Sequence, residues 1–466
     1  MKTGVQEPAQ GRGIRVSNPS TEPSTEGSGE ISPLYKRLPH GPHRLDRKQV
    51  ALHQRARIHG AMVEAVARNG YEGTSVKQVI GLAGVSRRSF YELFANKQEC
   101  FLATFDLIAR REIQNARQIY FSTDGDLEDR LRAVFGACSE VARDERNAAL
   151  LVLVDAQTAG AAGLLRLCRA SAICEQLLGA CFAESPKSGP LPTPILRGIA
   201  GGMHGAVSSL LRREPVESSQ ELAEQLLHWT LAFQTTSAQK MSERLSKRMK
   251  SRMREISFAH AERPRTRGIQ ERDQRSSLLH SVLRLATRHE QKELTAPQIA
   301  DEARVSIDTF FEFFETKDEC FLAALDMVGQ ELLTIAATDA EPESADWPKS
   351  VRKVIDQLLT HLAQHPLHAR ALVQDSYTAG VPALESNLAL SEKLAEMLTR
   401  GAPAQAVDQL ARSGVTGALW HVVRCQVADG RIQLLPALSD HLSYVVLAPF
   451  IGADAAAQII CEEPRR

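Results

Sequence analysis

The stretch AGVSRRSFYELFANKQECF, residues 83–101, decides the fold of this chain, because ARVSIDTFFEFFETKDECF repeats it at residues 303–321. In the twenty-residue window that begins at Ala83, eleven residues are identical to those at the same places from Ala303. Repetition at such a long, fixed spacing is the mark of a duplicated structural unit. The chain is therefore expected to contain two copies of one structural unit.

The repeat extends well beyond this window. DAQTAG at residues 155–160 matches DSYTAG at 375–380, again 220 positions apart, and GIAG at 198–201 matches GVTG at 414–417 at an offset of 216. Apolar residues recur at intervals of three and four in both halves, with little alternation of the kind that strands show. We expect an all-α protein made of two copies of one helical domain, with one small insertion or deletion between them.

Residues 70–101 predict two short helices joined by a tight turn. Thr74 or Ser75 can cap the first helix, Gly84 supplies the unusual backbone of the turn, and Ser86 can cap the second. Asn96, followed by Glu99, resembles a capping box that opens a third, long helix. This arrangement is typical of a helix-turn-helix.

The second helix, at about residues 87–94, has two unlike faces. Phe90, Leu93 and Phe94 are expected to pack inward, while the outer positions are Arg87, Arg88, Tyr91 and Glu92. Arginine can bind guanine with two hydrogen bonds, and tyrosine or lysine can contact phosphate. The pattern indicates a recognition helix, although an ordinary helical corner with solvated arginines would have the same sequence features.

The run Thr74-Ser-Val with residues 83–101 resembles the N-terminal signature of the TetR family of bacterial transcription regulators. Residues 37–71 are similar to the first helix and basic arm of its actinobacterial members. The resemblance implies, in each copy, a three-helix DNA-binding head and a helical body that binds a ligand and dimerises through its last two helices. It also implies that Ser86 to Tyr91 enter the major groove and that Arg87 and Arg88 reach base edges. The candidate DNA-binding residues are Thr74, Ser75, Lys77, Ser86, Arg87, Arg88, Ser89, Tyr91 and Lys97.

The second copy keeps the framework and loses the basic surface. Arg87 is replaced by Ile307, Arg88 by Asp308 and Tyr91 by Phe311, so the second head is expected to be degenerate for DNA binding. Another interpretation stays open, in which Asp308 or Glu312 accepts a hydrogen bond from cytosine and reads a different half-site.

These observations predict six segments. They are a disordered tail at 1–43, a helix-turn-helix head at 44–95, a first body at 96–238, a basic linker at 239–270, a degenerate head at 271–315 and a second body at 316–456. Residues 240–275 hold twelve Lys and Arg against five Asp and Glu. We interpret them as a solvated linker helix that breaks at Pro264, with phosphate contact as the alternative.

Composition limits the functions that remain. Formal net charge is zero, so any attraction for nucleic acid must be local. No apolar run of eighteen residues, secretory leader or catalytic motif is found, and the cysteines show no CxxC or Cys/His ligand spacing, which predicts no membrane partner, no metal, no cofactor and no enzymatic activity. The eight cysteines are expected to be buried free thiols. The expected location is cytoplasmic and nucleoid-associated.

The sequence therefore favours a TetR-like, ligand-responsive repressor that binds double-stranded DNA mainly through its first head. An unknown small-molecule effector would bind a body, and weak pocket candidates are Met203, His204, Trp229, Tyr377, Trp420 and His421. The two bodies are expected to pair within one chain as a pseudo-dimer that reads an asymmetric operator; independent copies that form a homodimer remain the alternative. The competing function is a ligand-sensing or protein-pairing co-regulator without DNA binding.

Overall fold

The structure, a computed structural model, describes residues 47–213, 216–262, 273–288, 293–338, 347–403 and 409–462. Within these ranges the chain is all-α, with short 3₁₀ turns and no strand, which confirms the expected fold class. The predicted tail at 1–43 and most of the basic arm lie outside the described residues.

The described part of the first half, residues 47–213 and 216–231, contains nine α-helices. The first three form a helix-turn-helix: α1 (Arg47–Gly73), α2 (Val76–Ala83) and α3 (Arg87–Leu93). The others are α4 (Lys97–Ser122), α5 (Leu127–Asp144), α6 (Arg146–Leu153), α7 (Gly160–Glu184), α8 (Thr193–Arg213) and α9 (Ser219–Leu231).

After helix α10 (Ala238–Glu262), the second half follows the same order. Its helices are α11 (Gln274–Ala286), α12 (Ala296–Ala303), α13 (Ile307–Phe313), α14 (Lys317–Thr338), α15 (Trp347–Gln364), α16 (Pro366–Val373), α17 (Val381–Thr399), α18 (Gln409–Ala428), α19 (Ser439–Ile451) and α20 (Ala453–Cys461). Helices α15 and α16 begin and end 220 positions after α5 and α6, so the spacing of the sequence repeat is also the spacing of the helix boundaries.

The buried apolar side chains form two clusters. The smaller one is formed by helices α1, α2, α3, α4 and α6, and it includes Met62, Phe90, Phe101 and Leu151. The larger one runs from the first body through the helices at 274–313 into the second body. The first three helices therefore have a core of their own, whereas their counterparts in the second half share a core with both bodies.

Helices α8 and α18 cross at close range because glycines line the contact. A β-carbon added to Gly205 would lie 2.5 Å from the α-carbon of Gly417, and one added to Gly417 would lie 2.9 Å from the carbonyl oxygen of Gly201. Backbone atoms cannot move aside as side-chain ends can. The repeated glycine motif noticed in the sequence is thus a contact between the two halves.

Helix α10 corrects the expectation of a solvated basic linker. Met241 and Leu245 are buried, and Arg248 donates hydrogen bonds to the carbonyl oxygens of Ile460 at 2.6 Å and Glu462 at 3.1 Å. Arg252 pairs with Asp356 at 2.5 Å. Basic side chains of α10 therefore bind the carbonyl oxygens at the end of α20 and a carboxylate of the second body. Arginine is well suited to bind the carbonyl oxygens at a helix C-terminus. The helix ends at Glu262, before Pro264, and the remainder of the linker to residue 272 lies outside the described residues.

Length and apolar composition alone would allow two described helical segments to cross a membrane, Lys317–Ala337 and Ile432–Ile451. A bent pair, Arg146–Leu153 with Asp155–Glu184, could count as a third. The protein itself buries 78% of the apolar window in Ile432–Ile451 and 44% of that in Lys317–Ala337. Burial inside the protein accounts for much of the apolar character of Ile432–Ile451. The expected lack of a membrane partner stays a prediction.

All eight cysteines are free thiols, as expected. Cys100, Cys181, Cys320 and Cys425 are buried, while the other four are half-buried. Burial raises the pKa of Cys100 and of Cys320 to about 12, so these two thiols stay protonated at neutral pH. They behave as small apolar residues of the two helix-turn-helix cores.

Candidate nucleic-acid interface

The turn of the first helix-turn-helix is built by Gly84 and Arg57. Gly84 adopts the left-handed conformation with φ of 59°, and its backbone N–H closes the end of α2. The guanidinium of Arg57, on α1, donates to the carbonyl oxygens of Ala83 and Gly84. The long helix α1 therefore holds the turn in place, a contact over 26 residues that the sequence did not reveal.

Helix α3 presents the expected basic face. Its N-cap is Ser86, whose Oγ accepts from the N–H of Ser89 at 3.0 Å. Phe90 is fully buried, while Arg87, Arg88 and Tyr91 are exposed. This confirms the predicted division of the helix into an inner apolar face and an outer basic one.

The two arginines are held differently in the free protein. The guanidinium of Arg87 lies 5.7 Å from the ring centre of Tyr91, whose side chain is 45% exposed. Arg88 pairs with Glu92 at 2.8 Å, and this hydrogen bond raises the pKa of Arg88. Exposed pairs of this kind contribute little to stability, so either arginine can exchange its partner for DNA at small cost.

Thr74 differs from its expected role as a phosphate contact. It is 3% exposed, and its hydroxyl donates to the carbonyl oxygen of Gly70 at 2.7 Å, next to the point where α1 breaks with φ of 67°. In this structure Thr74 closes the end of α1. Ser75 is the N-cap of α2 and is exposed, as is Lys77 on the outer side of that helix.

Lys97, at the start of α4, joins two elements of the head. Its ammonium donates to the carbonyl oxygens of Tyr71 at 2.8 Å and Glu72 at 3.3 Å, and it lies 4.3 Å from the ring centre of Tyr71. Asn96 is the N-cap of α4, as the sequence suggested, although the carboxylate of Glu99 accepts from the N–H of Ala95. The lysine is half-buried and has a structural role in addition to any contact with phosphate.

The second helix-turn-helix has the same backbone and a different surface. Ser306 caps α13 in the same way as Ser86 caps α3. Outside, Phe311 is 55% exposed and Ile307 36%, and Asp308, Glu312 and Glu315 are exposed carboxylates. Carboxylates and apolar rings do not attract phosphate.

A cleft of about 650 Å³ separates the two helix-turn-helix units. Positions 220 apart face each other across it: Gln98 and Asp318, and Gly160 and Gly380, both glycines having positive φ. The cleft is thus lined by residues of both units and of both halves of the chain.

A second cavity, of about 350 Å³, lies between the two halves near α8 and α18. It brings together three of the six pocket candidates: His204, Tyr377 and Trp420. The other three are not in its lining. Trp229 packs on Gly202 and Gly414 and donates to the carbonyl oxygen of Ile199 at 3.1 Å, so it is a packing residue of the contact.

Met203 and His421 also serve packing. The sulfur of Met203 lies 3.4 Å from the hydroxyl of Thr230, and His421 packs against Gly201. His421 lies 3.6 Å from the carboxylate of Glu175 in the interior. Burial lowers the pKa of His421, so its ring is neutral at pH 7.

The cavity is lined by basic groups that sequence reasoning missed. Arg424 is buried and donates to Gln157 at 3.0 Å and to the hydroxyl of Tyr377 at 3.2 Å. Arg212 also lines the cavity. Burial, with Arg424 nearby, lowers the pKa of His204 to about 3, and its Nε2 has no hydrogen-bond partner. An arginine inside the apolar run ALWHVVRCQVA was the signal available in the sequence.

Comparison with known proteins adds one family match. Residues 60–104 match the N-terminal model of the bacterial regulatory proteins of the tetR family. No curated protein matches the chain.

Two solved structures show weak similarity. The fatty acid degradation regulator FadR from Bacillus halodurans is 18% identical, with 36% of this chain and 96% of that chain covered and a TM-score of 0.32. The transcriptional regulator FadR from Bacillus subtilis, in complex with stearoyl-CoA, is 19% identical over the same shares, with a TM-score of 0.33. Similarities of this size carry no argument about ligand or assembly.

The matched segment 60–104 spans α2, α3 and the turn between them, together with most of α1 and the start of α4. Proteins of this family are transcription factors without enzymatic activity. The family match thus falls on the first helix-turn-helix, and this segment of the chain is similar to the N-terminal domain of tetR-family regulators.

Proposed function

We propose that this protein is a ligand-responsive repressor that reads DNA through its first head, defined here as α1 to α3 with the start of α4. The observation that carries the proposal is the exposed pair Arg87 and Arg88 at the N-terminal end of a capped recognition helix. Side chains in the first turns of such a helix are those that reach base edges in the major groove. Ser75, Lys77, Ser86, Ser89, Tyr91 and Lys97 surround the pair and supply contacts to phosphate.

The second head, defined as α11 to α13 with the start of α14, has a scaffolding role. Its exposed Asp308 and Glu312 would face a phosphate backbone with like charge, and Phe311 lacks the hydroxyl of Tyr91. Carboxylate contact with cytosine needs neighbouring basic groups for positioning, since phosphate contacts supply most of the affinity. On this view one chain contributes one reading head.

Pairing of the two bodies within one chain completes the proposal. Helices α8 and α9 of the first body pack together with α18 and α19 of the second, with Trp229 of α9 resting on Gly414 of α18. Arg424 of the second body donates to Gln157 of the first, and Tyr444 donates to the carbonyl oxygen of Phe233 at 3.2 Å. An interface that brings together the C-terminal helices of both copies supports an internal pseudo-dimer over two independent domains.

The effector would be an anion with an apolar part. The 350 Å³ cavity is within the range of small-molecule sites, and its lining holds four arginines against two glutamates, together with the rings of Tyr377 and Trp420. Since residues of both halves line it, a bound molecule can change how α8 lies against α18 and thereby the placement of the heads. The test is a panel of carboxylates and phosphates scored for release of DNA, with Arg424→Gln expected to remove the response.

The largest expected effect is on DNA affinity. Arg87→Ala/Arg88→Ala should weaken binding to a selected site by at least about 30-fold, because a two-hydrogen-bond contact to guanine is worth about 1 to 3 kcal/mol. Binding is measured by fluorescence anisotropy at several salt concentrations, and the slope against log salt should also fall.

The matched control is Arg400→Ala/Arg431→Ala, which removes the same charge from exposed positions of the second body. It should change affinity less than about twofold, since those charges act only through screened solvent. Equal losses from both double variants would mean that bulk charge, and not the first head, determines binding.

A further inference from the structure

One cluster of side chains has no part in the functions proposed above. It lies in the second half, where α14, α15 and α16 meet, and consists of Glu331, His361, His365 and His368. The glutamate is on α14, His361 is in the last turn of α15, His365 precedes α16, and His368 is within α16.

Two of the histidines point at one carboxylate oxygen. Oε2 of Glu331 lies 3.2 Å from Nε2 of His361 and 3.4 Å from Nδ1 of His368. Both nitrogens are buried, and neither has a hydrogen-bond partner in this geometry. Buried polar atoms are nearly always satisfied, so two unsatisfied nitrogens that converge on one place require an explanation.

We propose that Glu331, His361 and His368 bind a zinc ion, with His365 at the mouth of the site. Zinc in proteins is bound tetrahedrally by imidazole nitrogen and carboxylate oxygen at about 2.0 to 2.2 Å. Ligand atoms at the corners of such a tetrahedron are about 3.3 to 3.5 Å apart. The two separations from Glu331, 3.2 and 3.4 Å, agree with that spacing, and all three ligand atoms lie within 4.8 Å of one another.

Access to the site also suits a metal, which needs a path of entry. The side chain of His368 is 4% exposed and that of Glu331 39%, so the site is buried on one side and open to solvent on the other.

His365 is placed to provide the fourth ligand. Its ring is stacked on that of His368, with centres 4.9 Å apart, and lies 4.5 Å from the ring of His361. The residue is exposed, so its ring can turn on the solvent side of these two rings. A water molecule would fill the position in its place.

The first copy shows what these positions hold when no metal is needed. Positions 220 residues earlier are occupied by Arg111, Val141, Glu145 and Ala148. Arg111 pairs with Glu145 at 2.8 Å, so an ordinary ion pair links α4 to the start of α6. The second copy has exchanged that ion pair for a carboxylate and three imidazoles. A zinc ion there would link α14, which follows the second head directly, to α15 and α16.

A second group of possible ligands, Glu175, His421 and Cys425, is already engaged. Glu175 pairs with Arg197 at 3.2 Å, and Nε2 of His421 lies 3.7 Å from the sulfur of Cys425. An ion there would have to displace Arg197 from a buried carboxylate. This group is therefore the competing site in the test.

The test uses the untagged full-length chain, stripped with a chelator and titrated with Co²⁺ and then Zn²⁺. We expect one equivalent to bind, with visible absorption typical of tetrahedral Co²⁺ with nitrogen and oxygen ligands, no thiolate charge-transfer band, and displacement by Zn²⁺. Thermal unfolding with and without Zn²⁺ should show stabilisation that depends on zinc concentration.

Three variants assign the site. His361→Gln and Glu331→Gln should each weaken Co²⁺ binding by more than about 100-fold, because even outer partners of metal ligands cost about 10- to 100-fold. His228→Gln, a histidine of α9 outside the cluster, should bind as the parent does, and circular dichroism shows whether each variant is folded. The proposal is overturned by the lack of stoichiometric binding, by unchanged affinity in the folded His361 and Glu331 variants, or by a thiolate band that Cys425→Ser removes.

Discussion

The two heads can be compared position by position, because each residue of the second lies 220 places after its counterpart in the first. In the first head the turn holds Gly84 with φ of 59°, and in the second it holds Arg304 with φ of 58°. Arg304 is the sole non-glycine residue with positive φ among the described residues. The two turns have the same backbone, although the second lacks the residue best suited to it.

The residue that contacts the turn also differs between the two heads. Arg57 donates to the carbonyl oxygens of Ala83 and Gly84, and a β-carbon at position 84 would come within 2.8 Å of its guanidinium. The second head has Ser277 instead, which donates to the carbonyl oxygen of Ala303 at 3.1 Å. A smaller partner leaves room for the side chain of Arg304.

The interiors differ as well. His59 of the first head is buried and bonded to the hydroxyl of Thr104 at 2.7 Å, while the matching positions hold Leu279 and Ala324, both buried. The core of the first head is separate from the main core, and that of the second head is continuous with it. The comparison shows two helix-turn-helix units with the same backbone whose surfaces and interiors differ.

The comparison of the two heads can be tested by exchanging their turn residues. Gly84→Arg should destabilise the first head by about 2 to 3 kcal/mol, since left-handed backbone costs about 1 to 2 kcal/mol for a residue with a β-carbon and the hydrogen bonds from Arg57 are disturbed. Hydrogen exchange of the amides in α1 to α3 measures the loss.

The rescue variant is Gly84→Arg/Arg57→Ser, which copies the second head. It should recover part of the lost protection, because the shorter serine removes the steric conflict. A double variant less stable than Gly84→Arg would show that the two exchanges are not coupled.

Acid should affect the first head more than the second. Burial lowers the pKa of His59 to about 4, below its ordinary value of 6.5, so the unfolded chain takes up a proton that the folded head does not. Stability is complete above pH 6.5 and falls as pH decreases towards 4, by about 2 kcal/mol at pH 5. The measurement is amide exchange of both heads at pH 7.5 and pH 5.

The control for this pH dependence is His59→Leu/Thr104→Ala, which gives the first head the interior of the second. Its exchange rates, corrected for the intrinsic effect of pH, should lose most of the additional acid sensitivity. An unchanged difference between the heads would assign the acid sensitivity to other groups.

The smallest effect is expected in the second head. Arg304→Gly should stabilise it by about 0.5 to 1 kcal/mol, because relief of left-handed strain outweighs the greater entropy that glycine gives the unfolded chain. Hydrogen exchange in α12 and α13 checks this, with Glu312→Ala as an exposed control. Destabilisation would mean that the arginine side chain makes a contact that offsets its strained backbone.

Much of the first head could be predicted from sequence because its signals are local. The caps at Ser75, Ser86 and Asn96 act within three residues, and Gly84 marks its own turn. Thr74 was misplaced since a hydroxyl beside a helix end can face inward or outward, and its hydrogen bond to Gly70 decides the matter only in three dimensions.

The remaining sites depend on contacts between distant parts of the chain. Arg57 meets the turn across 27 residues, and Arg424 meets Gln157 across 267. In the histidine cluster, His361, His365 and His368 stand at spacings of four and three, which the sequence shows, but Glu331 lies 30 positions before His361 and only the fold brings it to them. The sequence-based prediction of no metal site rested on the cysteine spacings, and the zinc proposal departs from it for that reason.

The central claim is that one chain presents one reading head. Selection of bound sequences from random duplexes by the purified full-length protein, with the chain-to-duplex ratio measured on the selected site, tests it most directly. We predict one chain per duplex and an asymmetric motif with a single strongly specified half-site. Two equally specified half-sites bound by one chain, or no enrichment over competitor DNA, would contradict it.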